Sequence, residues 1–395
     1  MATDPNAHGA PAAAQPSPRY HDLDALRAAA MLLGIVLHAA LFLVPDAWGV
    51  LDKEASDELL YGDVVSAIHG FRMPVFFLMS GFFTAMLWQR RGLVGMLRQR
   101  LLRVGLPLLA GCFTIIPLSA WVWVATTDYD LAKDFPAGAS GVEIVIGVWL
   151  FAWLDDFHHL WFLWHLLWLV GLFALLARLG LTFTHRWAWW TLVPLVALPQ
   201  FFMLWIGADT STGLIIAPHV LAYYAIFFLF GAFMHQRGVS VPKRWAVAAP
   251  IALALFYPVA VFVLRVAVKE YDARNEELAA AIWLAGTVVQ VAYTWLMCFG
   301  LMGLFRWAMA VERPWVRYVS DSSYWLYLAH LPLVVAAQWW AVEWDMSVHL
   351  EFAIIVVVST ALLLASYHLL VRHTPIGAFL NGTRPRRTHD AAQAG

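Results

Sequence analysis

Asp22-Leu23-Asp24-Ala25-Leu26-Arg27-Ala28-Ala29-Ala30-Met31-Leu32-Leu33-Gly34-Ile35-Val36-Leu37-His38-Ala39-Ala40-Leu41-Phe42-Leu43-Val44 is the stretch on which the reading of the fold turns. Its charges lie in the first turn and a half, and an apolar run interrupted only by His38 follows. At about 1.5 Å per residue such a helix spans the roughly 30 Å hydrocarbon core of a bilayer. Runs of the same kind recur along all 395 residues, of which 62% are hydrophobic and 13% charged, with a mean hydropathy of +0.69. Soluble domains carry about one quarter charged residues, so water is the wrong solvent for most of this chain. The sequence therefore reads as all-α: a polytopic integral membrane helical bundle of about ten transmembrane helices, packed within the lipid bilayer. The spans fall roughly at 22–44, 64–88, 105–126, 159–178, 187–206, 217–235, 245–267, 279–304, 320–341 and 350–371. A further run, 142–154, is too short to span and reads as re-entrant or interfacial. Residues 1–20, rich in Ala, Pro, Ser and Gln, read as a disordered cytoplasmic tail without a leader's cleavage pattern, 21–375 as the membrane domain, and 376–395 as a second cytoplasmic tail.

Orientation follows from the basic residues, which are retained on the cytoplasmic side. With the N-terminus inside, nineteen of the 25 Lys and Arg fall on the inner side, five (Lys53, Lys133, Arg265, Lys269, Arg274) fall outside, and Arg72 lies within a span. Both termini are then cytoplasmic. The formal net charge of -1 points away from a nucleic-acid partner. Cys112 and Cys298 lie in apolar runs outside any CxxC spacing and read as core residues. Asn381-Gly382-Thr383 fits a glycosylation pattern but falls on the cytoplasmic side.

An ionisable side chain at membrane depth costs at least about 2.5 kcal/mol, so each one is a functional candidate. On the first helix Arg27 and His38 lie within about 20° of one face and about 16 Å apart along the axis. Asp24, three residues before Arg27, is placed to neutralise it at the inner end. His38, in the outer half of the bilayer, points to proton chemistry. On the second span His69 and Arg72 are one turn apart beside the helix-bending Pro74, which fits a cavity wall, although Arg72 also has the option of snorkelling outward. Arg100 and Arg103 share a helical face at the inner membrane edge. Paired guanidinium groups suit the phosphates of a cofactor arriving from the cytoplasm. His159, Tyr327 and His330 stand beside spans in aromatic-rich surroundings, as candidate substrate-binding groups or as part of an interfacial belt. No HExxH, paired-Cys or His-carboxylate spacing occurs, so no metal is expected, and no glycine-rich phosphate loop is present.

Taken together these segments resemble the acyltransferase 3 family of membrane acyltransferases, and within it the glucan-biosynthesis branch. The resemblance is carried by Leu23-Asp24-Ala25-Leu26-Arg27 with His38; by His69, Phe71-Arg72-Met73 and Phe76-Phe77-Leu78-Met79-Ser80-Gly81; and by Arg100-Leu101-Leu102-Arg103. It continues through His159-Leu160-Trp161-Phe162-Leu163, Ser322-Ser323-Tyr324 with Tyr327-Leu328-Ala329-His330, and Arg372-His373-Thr374-Pro375. Ala28 stands where many members have glycine. The resemblance implies a multi-pass protein of the bacterial inner membrane that transfers an acyl group from a cytoplasmic acyl-CoA to a hydroxyl of a glycan or lipid on the far side. For the glucan branch the donor is succinyl-CoA and the acceptor a periplasmic glucan. It also implies that His38 and Arg27 are catalytic and that Arg100 and Arg103 bind the donor.

On this reading His38 removes a proton from the sugar hydroxyl as it attacks the thioester, or forms an acyl-histidine. Asp24 and Arg27 orient the inner face, and Arg72 meets the oxyanion or a succinyl carboxylate. A secondary transporter of an anionic or glycan substrate is the rival from another class. It calls for repeat symmetry and matching broken helices in two halves, which the prolines do not display. A histidine-ligated haem or metal protein calls for axial histidines facing each other across helices.

Overall fold

A computed structural model describes residues 20–45, 58–127, 130–181, 187–203 and 207–381. Most of the first 20 residues, the outer loop holding Lys53 and the glycosylation pattern beyond Asn381 lie outside this set. Among the described residues the structure is all-helical. The chain runs through α1 (His21–Leu41), α2 (Glu58–Arg100), a π-helical turn (Leu101–Gly105), α3 (Leu106–Cys112), α4 (Ile115–Thr126) and α5 (Gly141–Asp155). After these come α6 (Trp161–Arg178), α7 (Trp187–Leu195), α8 (Ala197–Phe201), α9 (Pro218–Gln236), α10 (Ala248–Ile251) and α11 (Tyr257–Asp272). The last four are α12 (Glu276–Ala308), α13 (Pro314–Ala341), α14 (Val348–Ser366) and α15 (Pro375–Asn381).

Among the described residues seven helical stretches are long and apolar enough to cross a membrane. One of them, Leu60–Thr126, is 67 residues long and merges the expected spans 64–88 and 105–126. A straight helix of that length would measure about 100 Å, some three bilayer cores. Gly92, with φ at 69°, breaks its direction between the Arg90-Arg91 pair and Arg98, a conformation that costs a residue with a Cβ. The count of ten spans is not established, for two physical reasons. The expected span 187–206 is broken into the short α7 and α8, with Pro194 inside the first and Pro199 inside the second. The expected span 320–341 forms a continuous helix, α13, but Ser320, Asp321, Ser322, Ser323, Tyr324, His330 and Gln338 make it too polar for that class. The 142–154 run is α5, whose N-terminus is closed by a capping box between Ser140 and Glu143.

Packing is tightest where α2 crosses α9. A Cβ added at Gly81 would run into the carbonyl oxygen of Phe228, and one at Gly231 into that of Leu78, so the two backbones meet through paired glycines. Around this crossing Phe77, Tyr224, Phe227, Phe230 and Trp295 are buried in one aromatic core, and Phe77 stacks on Tyr224 at 4.4 Å between ring centroids. A second core lies between α1, α13 and α14, built from Ile35, Ala39, Leu326, Val334, Ile355 and Leu363. Cys112 and Cys298 are both buried free thiols, as their apolar surroundings implied. The candidate residues Arg27, His38, Ser320 and His330 lie where α1 and α13 meet, and Arg72, Arg100, Arg103 and His159 approach them from other elements.

Candidate functional site

At its N-terminal end α1 is tied to α13 through a closed set of contacts. Arg27 pairs with Asp24 at 3.2 Å and donates to Ser320 Oγ at 3.2 Å, and the Ser320 hydroxyl donates to the Asp24 carbonyl at 3.2 Å. Arg27 therefore has a fixed direction, toward a cavity of about 550 Å³ that Arg100, Arg103, Arg317, Asp321 and Tyr324 also line. The π-helical turn Leu101–Gly105 overlaps the Arg100-Leu101-Leu102-Arg103 segment, and both arginines reach the cavity. Arg100 donates to the Ser80 carbonyl at 3.2 Å, while its buried Nε meets no acceptor among the described residues. Arg103 donates to the Leu380 carbonyl on α15 at 2.6 Å, and its own carbonyl accepts from the Tyr324 hydroxyl at 2.8 Å. A buried guanidinium nitrogen without an acceptor is costly, and an anion from outside the chain would remove that cost.

Eleven residues beyond Arg27 on α1, about 16 Å along the axis, stands His38. Its Nδ1 lies 2.9 Å from the Gly34 carbonyl and 3.0 Å from His330 Nε2 on α13. His330 in turn has Nδ1 2.7 Å from the Tyr327 carbonyl of its own helix. His159 completes the group, its ring 4.8 Å from that of His330. It is delivered by a tight turn in which His158 takes φ of 47° and donates its N–H to the Asp156 carboxylate at 2.5 Å. His159 donates from Nε2 to the Leu328 carbonyl at 3.0 Å, leaving a buried Nδ1 without a partner among the described residues, and its own carbonyl accepts from the Tyr327 hydroxyl at 2.8 Å.

Arg72 reaches the same place from α2. A Cβ at Gly34 would strike its Nη1 and would lie 4.0 Å from His330 Nε2, so the guanidinium rests against the bare backbone of α1 beside the histidines. Its Nε is buried and makes no hydrogen bond within the described residues. The Arg72 guanidinium thus points into the bundle, against α1.

The structure sorts the sequence candidates into two groups. His38, Arg72, His159, Tyr327 and His330 meet toward the C-terminal end of α1, and Asp24, Arg27, Arg100 and Arg103 meet at its N-terminal end. His69, on the same helix as Arg72, has its hydrogen bonds elsewhere. It is held one turn before Arg72 by the Ala208 carbonyl and lies 3.3 Å from Thr210 Oγ1. Nearby, His219 lies 3.7 Å from Asp209. Sequence reasoning missed Arg317, Asp321 and Gln338. Arg317 and Asp321 fall on the α13 face shared with Tyr324, a helical spacing that was legible. Gln338 donates to the His38 carbonyl at 2.8 Å and gives no such signal.

A membrane bundle with an arginine-lined cavity at one end of a helix and a buried histidine cluster at the other has the makings of a group-transfer enzyme. The chain belongs to the acyltransferase 3 family: that family's acyltransferase-domain model matches residues 20–368. Among curated relatives it is similar to the Glucans biosynthesis protein C of Salmonella paratyphi B and of Salmonella schwarzengrund. Identity to each is 27%, covering 94% of this chain and 96% of the relative. No solved structure matches the chain. The protein is accordingly a membrane acyltransferase.

Proposed function

We propose that this protein is an inner-membrane O-acyltransferase that moves an acyl group, succinyl in the first instance, from cytoplasmic acyl-CoA to a hydroxyl of a periplasmic glucan. The observation that carries the reading is the placement of the arginine cavity and the histidine cluster on one continuous α1–α13 face. The family supports transfer of an acyl group, the name of the relatives supports a glucan acceptor, and the asymmetry of basic residues supports an inner-facing arginine end.

The cavity fits the donor by chemistry. Four guanidinium groups and the unmatched Nε of Arg100 suit a phosphorylated carrier, because guanidinium binds phosphate oxygens in bidentate fashion. At the other end a hydroxyl is a weak nucleophile at neutral pH, and neutral His38 takes its proton as the oxygen attacks the thioester carbonyl. The O–H bond breaks, the O–C bond forms, the C–S bond breaks, and the same imidazole returns the proton to the departing thiolate. Arg72 brings positive charge and an unmatched N–H to the place where the carbonyl oxygen becomes an oxyanion.

A deletion strain complemented with the wild-type chain or with His38→Ala tests this through the masses of its periplasmic glycans. Wild type should restore an acylated species and His38→Ala should not, although both reach the membrane. A succinyl mass increment supports the donor assignment and an acetyl increment replaces it. Glycans unchanged by the deletion reject the glucan acceptor.

A further inference from the structure

We infer that the non-helical segment 207–217, between α8 and α9, is the acceptor subsite, where Asp209 and Thr210 hydrogen-bond the hydroxyls of a neutral sugar chain and hold it at the histidine cluster. This rests on the acyl-transfer reading above and places the acceptor within it.

Eleven residues outside any helix are costly in a bundle that faces lipid, and such backbone is tolerated only where protein buries it or where it lines a watery cavity. Here its polar groups are met by side chains from several elements. Gln200 on α8 donates to the Gly207 carbonyl at 2.7 Å, and the Gly207 N–H donates to Gln290 on α12 at 2.8 Å. His69 on α2 holds the Ala208 carbonyl, and Trp164 on α6 donates to the Leu214 carbonyl at 3.1 Å. The Phe157 N–H donates to the Thr212 carbonyl at 2.8 Å. Gly207 takes φ of 108°, and a Cβ there would lie 3.2 Å from the Gly70 nitrogen, so a side chain would meet both strain and the α2 backbone. With its backbone satisfied by the scaffold, the segment is a shelf of fixed shape that does not depend on the side chains it displays.

Two of these anchors bring the shelf to the histidines. His69 stands one turn before Arg72, whose guanidinium lies beside His330, and Phe157 stands two residues before His159. Along α2 the order is Ser80 at the arginine cavity, then Arg72, then His69, which is eleven residues and about 16 Å from Ser80. The shelf therefore lies across the histidine cluster from the donor cavity, on the side left for a second substrate. What it displays suits hydroxyls. Thr210 is exposed and offers one O–H and two lone pairs. Asp209 beside it brings two carboxylate oxygens that are 12% exposed, with His219 3.7 Å away. A carboxylate accepts hydrogen bonds from sugar O–H groups and repels an anion, so the shelf favours a neutral polyhydroxyl chain over a phospholipid headgroup.

Full-length variants in membranes, assayed with acyl-CoA and with unacylated glucan from the deletion strain, test the assignment. Asp209→Asn keeps the size of the side chain and should raise acceptor KM by about tenfold, the scale of a hydrogen bond to a charged group. Thr210→Val, at an exposed hydroxyl, should raise it severalfold. In both, titration with a non-hydrolysable acyl-CoA analogue should give wild-type donor affinity, because the arginine cavity is untouched. Carboxymethylated glucan, an anionic competitor, should inhibit Asp209→Asn severalfold better than wild type, a change that a merely structural role would not produce. Wild-type acceptor KM in both variants overturns the inference, and so does a fall in donor affinity as large as the rise in acceptor KM. An unchanged response to the anionic competitor overturns the role given to Asp209. Should Asp209→Asn fail to accumulate, the acceptor KM of Thr210→Val decides alone. A wild-type enzyme that acylates no glucan rejects the acyl-transfer reading itself, whereas an active wild type beside variants with unaltered acceptor KM sinks only this inference.

Discussion

The two ends of the α1–α13 face are built on opposite plans. At the histidine end both nitrogens of His330 are engaged by protein, the Arg72 guanidinium lies against bare backbone at Gly34, and His38 is bracketed by a carbonyl and a ring. At the arginine end four guanidinium groups stand around about 550 Å³ of space, and Arg100 keeps a nitrogen without an acceptor. The first plan depends on the direction of individual atoms, and the second on charge summed over several side chains. Damage at the histidine end should therefore appear in kcat, and damage at the arginine end in the donor's KM.

The sharpest way to break this contrast is His38→Ala. Loss of a positioned base should reduce kcat by about 10² to 10⁴-fold. Donor binding should persist, because Arg27, at the donor cavity, is about 16 Å away along the helix. Membranes holding the variant, titrated with a non-hydrolysable acyl-CoA analogue, check both halves at once. A loss of donor affinity as large as the loss of rate would erase the distinction between the ends.

Gly34→Ala comes next, although no charged group is altered. The new methyl must displace the Arg72 guanidinium, which is the far end of a flexible side chain, so the fold should survive while the charge moves away from the histidines. Misplacing a catalytic group by about 1 Å can cost on the order of 10²-fold, and the effect should fall on kcat. If donor KM rises and kcat holds, Arg72 belongs to the binding end and the division must be redrawn.

Arg100→Ala should do the reverse. A hydrogen bond to a charged group contributes about 1.5–3 kcal/mol, so donor KM should rise by about tenfold or more with kcat little changed. A short acyl thioester without phosphates should react equally with wild type and variant. A difference between the two enzymes on that donor would show that Arg100 does more than hold phosphate.

How legible each end was in the sequence follows from the same contrast. Arg27, Arg100 and Arg103 were visible because local helical spacing put them on faces near a membrane edge, and a cavity that works by summed charge tolerates loose placement. His38 was visible as a titratable group at membrane depth. Its partnership with His330 was not, since 292 positions separate them and no local period joins α1 to α13. His69 shows the limit from the other side: it stands one turn from Arg72, yet its Nε2 is engaged by the Ala208 carbonyl and Thr210, partners that no local spacing announced. The break in the 187–206 region was signalled by Pro194 and Pro199, while its apolar composition argued for a span. In α13 four of the polar residues that disqualify it as an apolar helix, Ser320, Asp321, Ser323 and Tyr324, are the ones that line the cavity.

The smallest expected effect is the most discriminating, because it falls on the contact that ties α1 to α13. Ser320 is 3% exposed, accepts from Arg27 and donates to the Asp24 carbonyl, so it sits on the contact that aims Arg27 into the cavity. In Ser320→Ala the guanidinium keeps Asp24 as its partner at 3.2 Å, and the bonds lost are worth about 0.5–1.5 kcal/mol each. Donor KM should rise severalfold at most and kcat should hold. If kcat falls instead, Arg27 acts on the chemistry through α1, and the two ends form one mechanism in which the inner ion pair sets the pitch of the helix that carries His38.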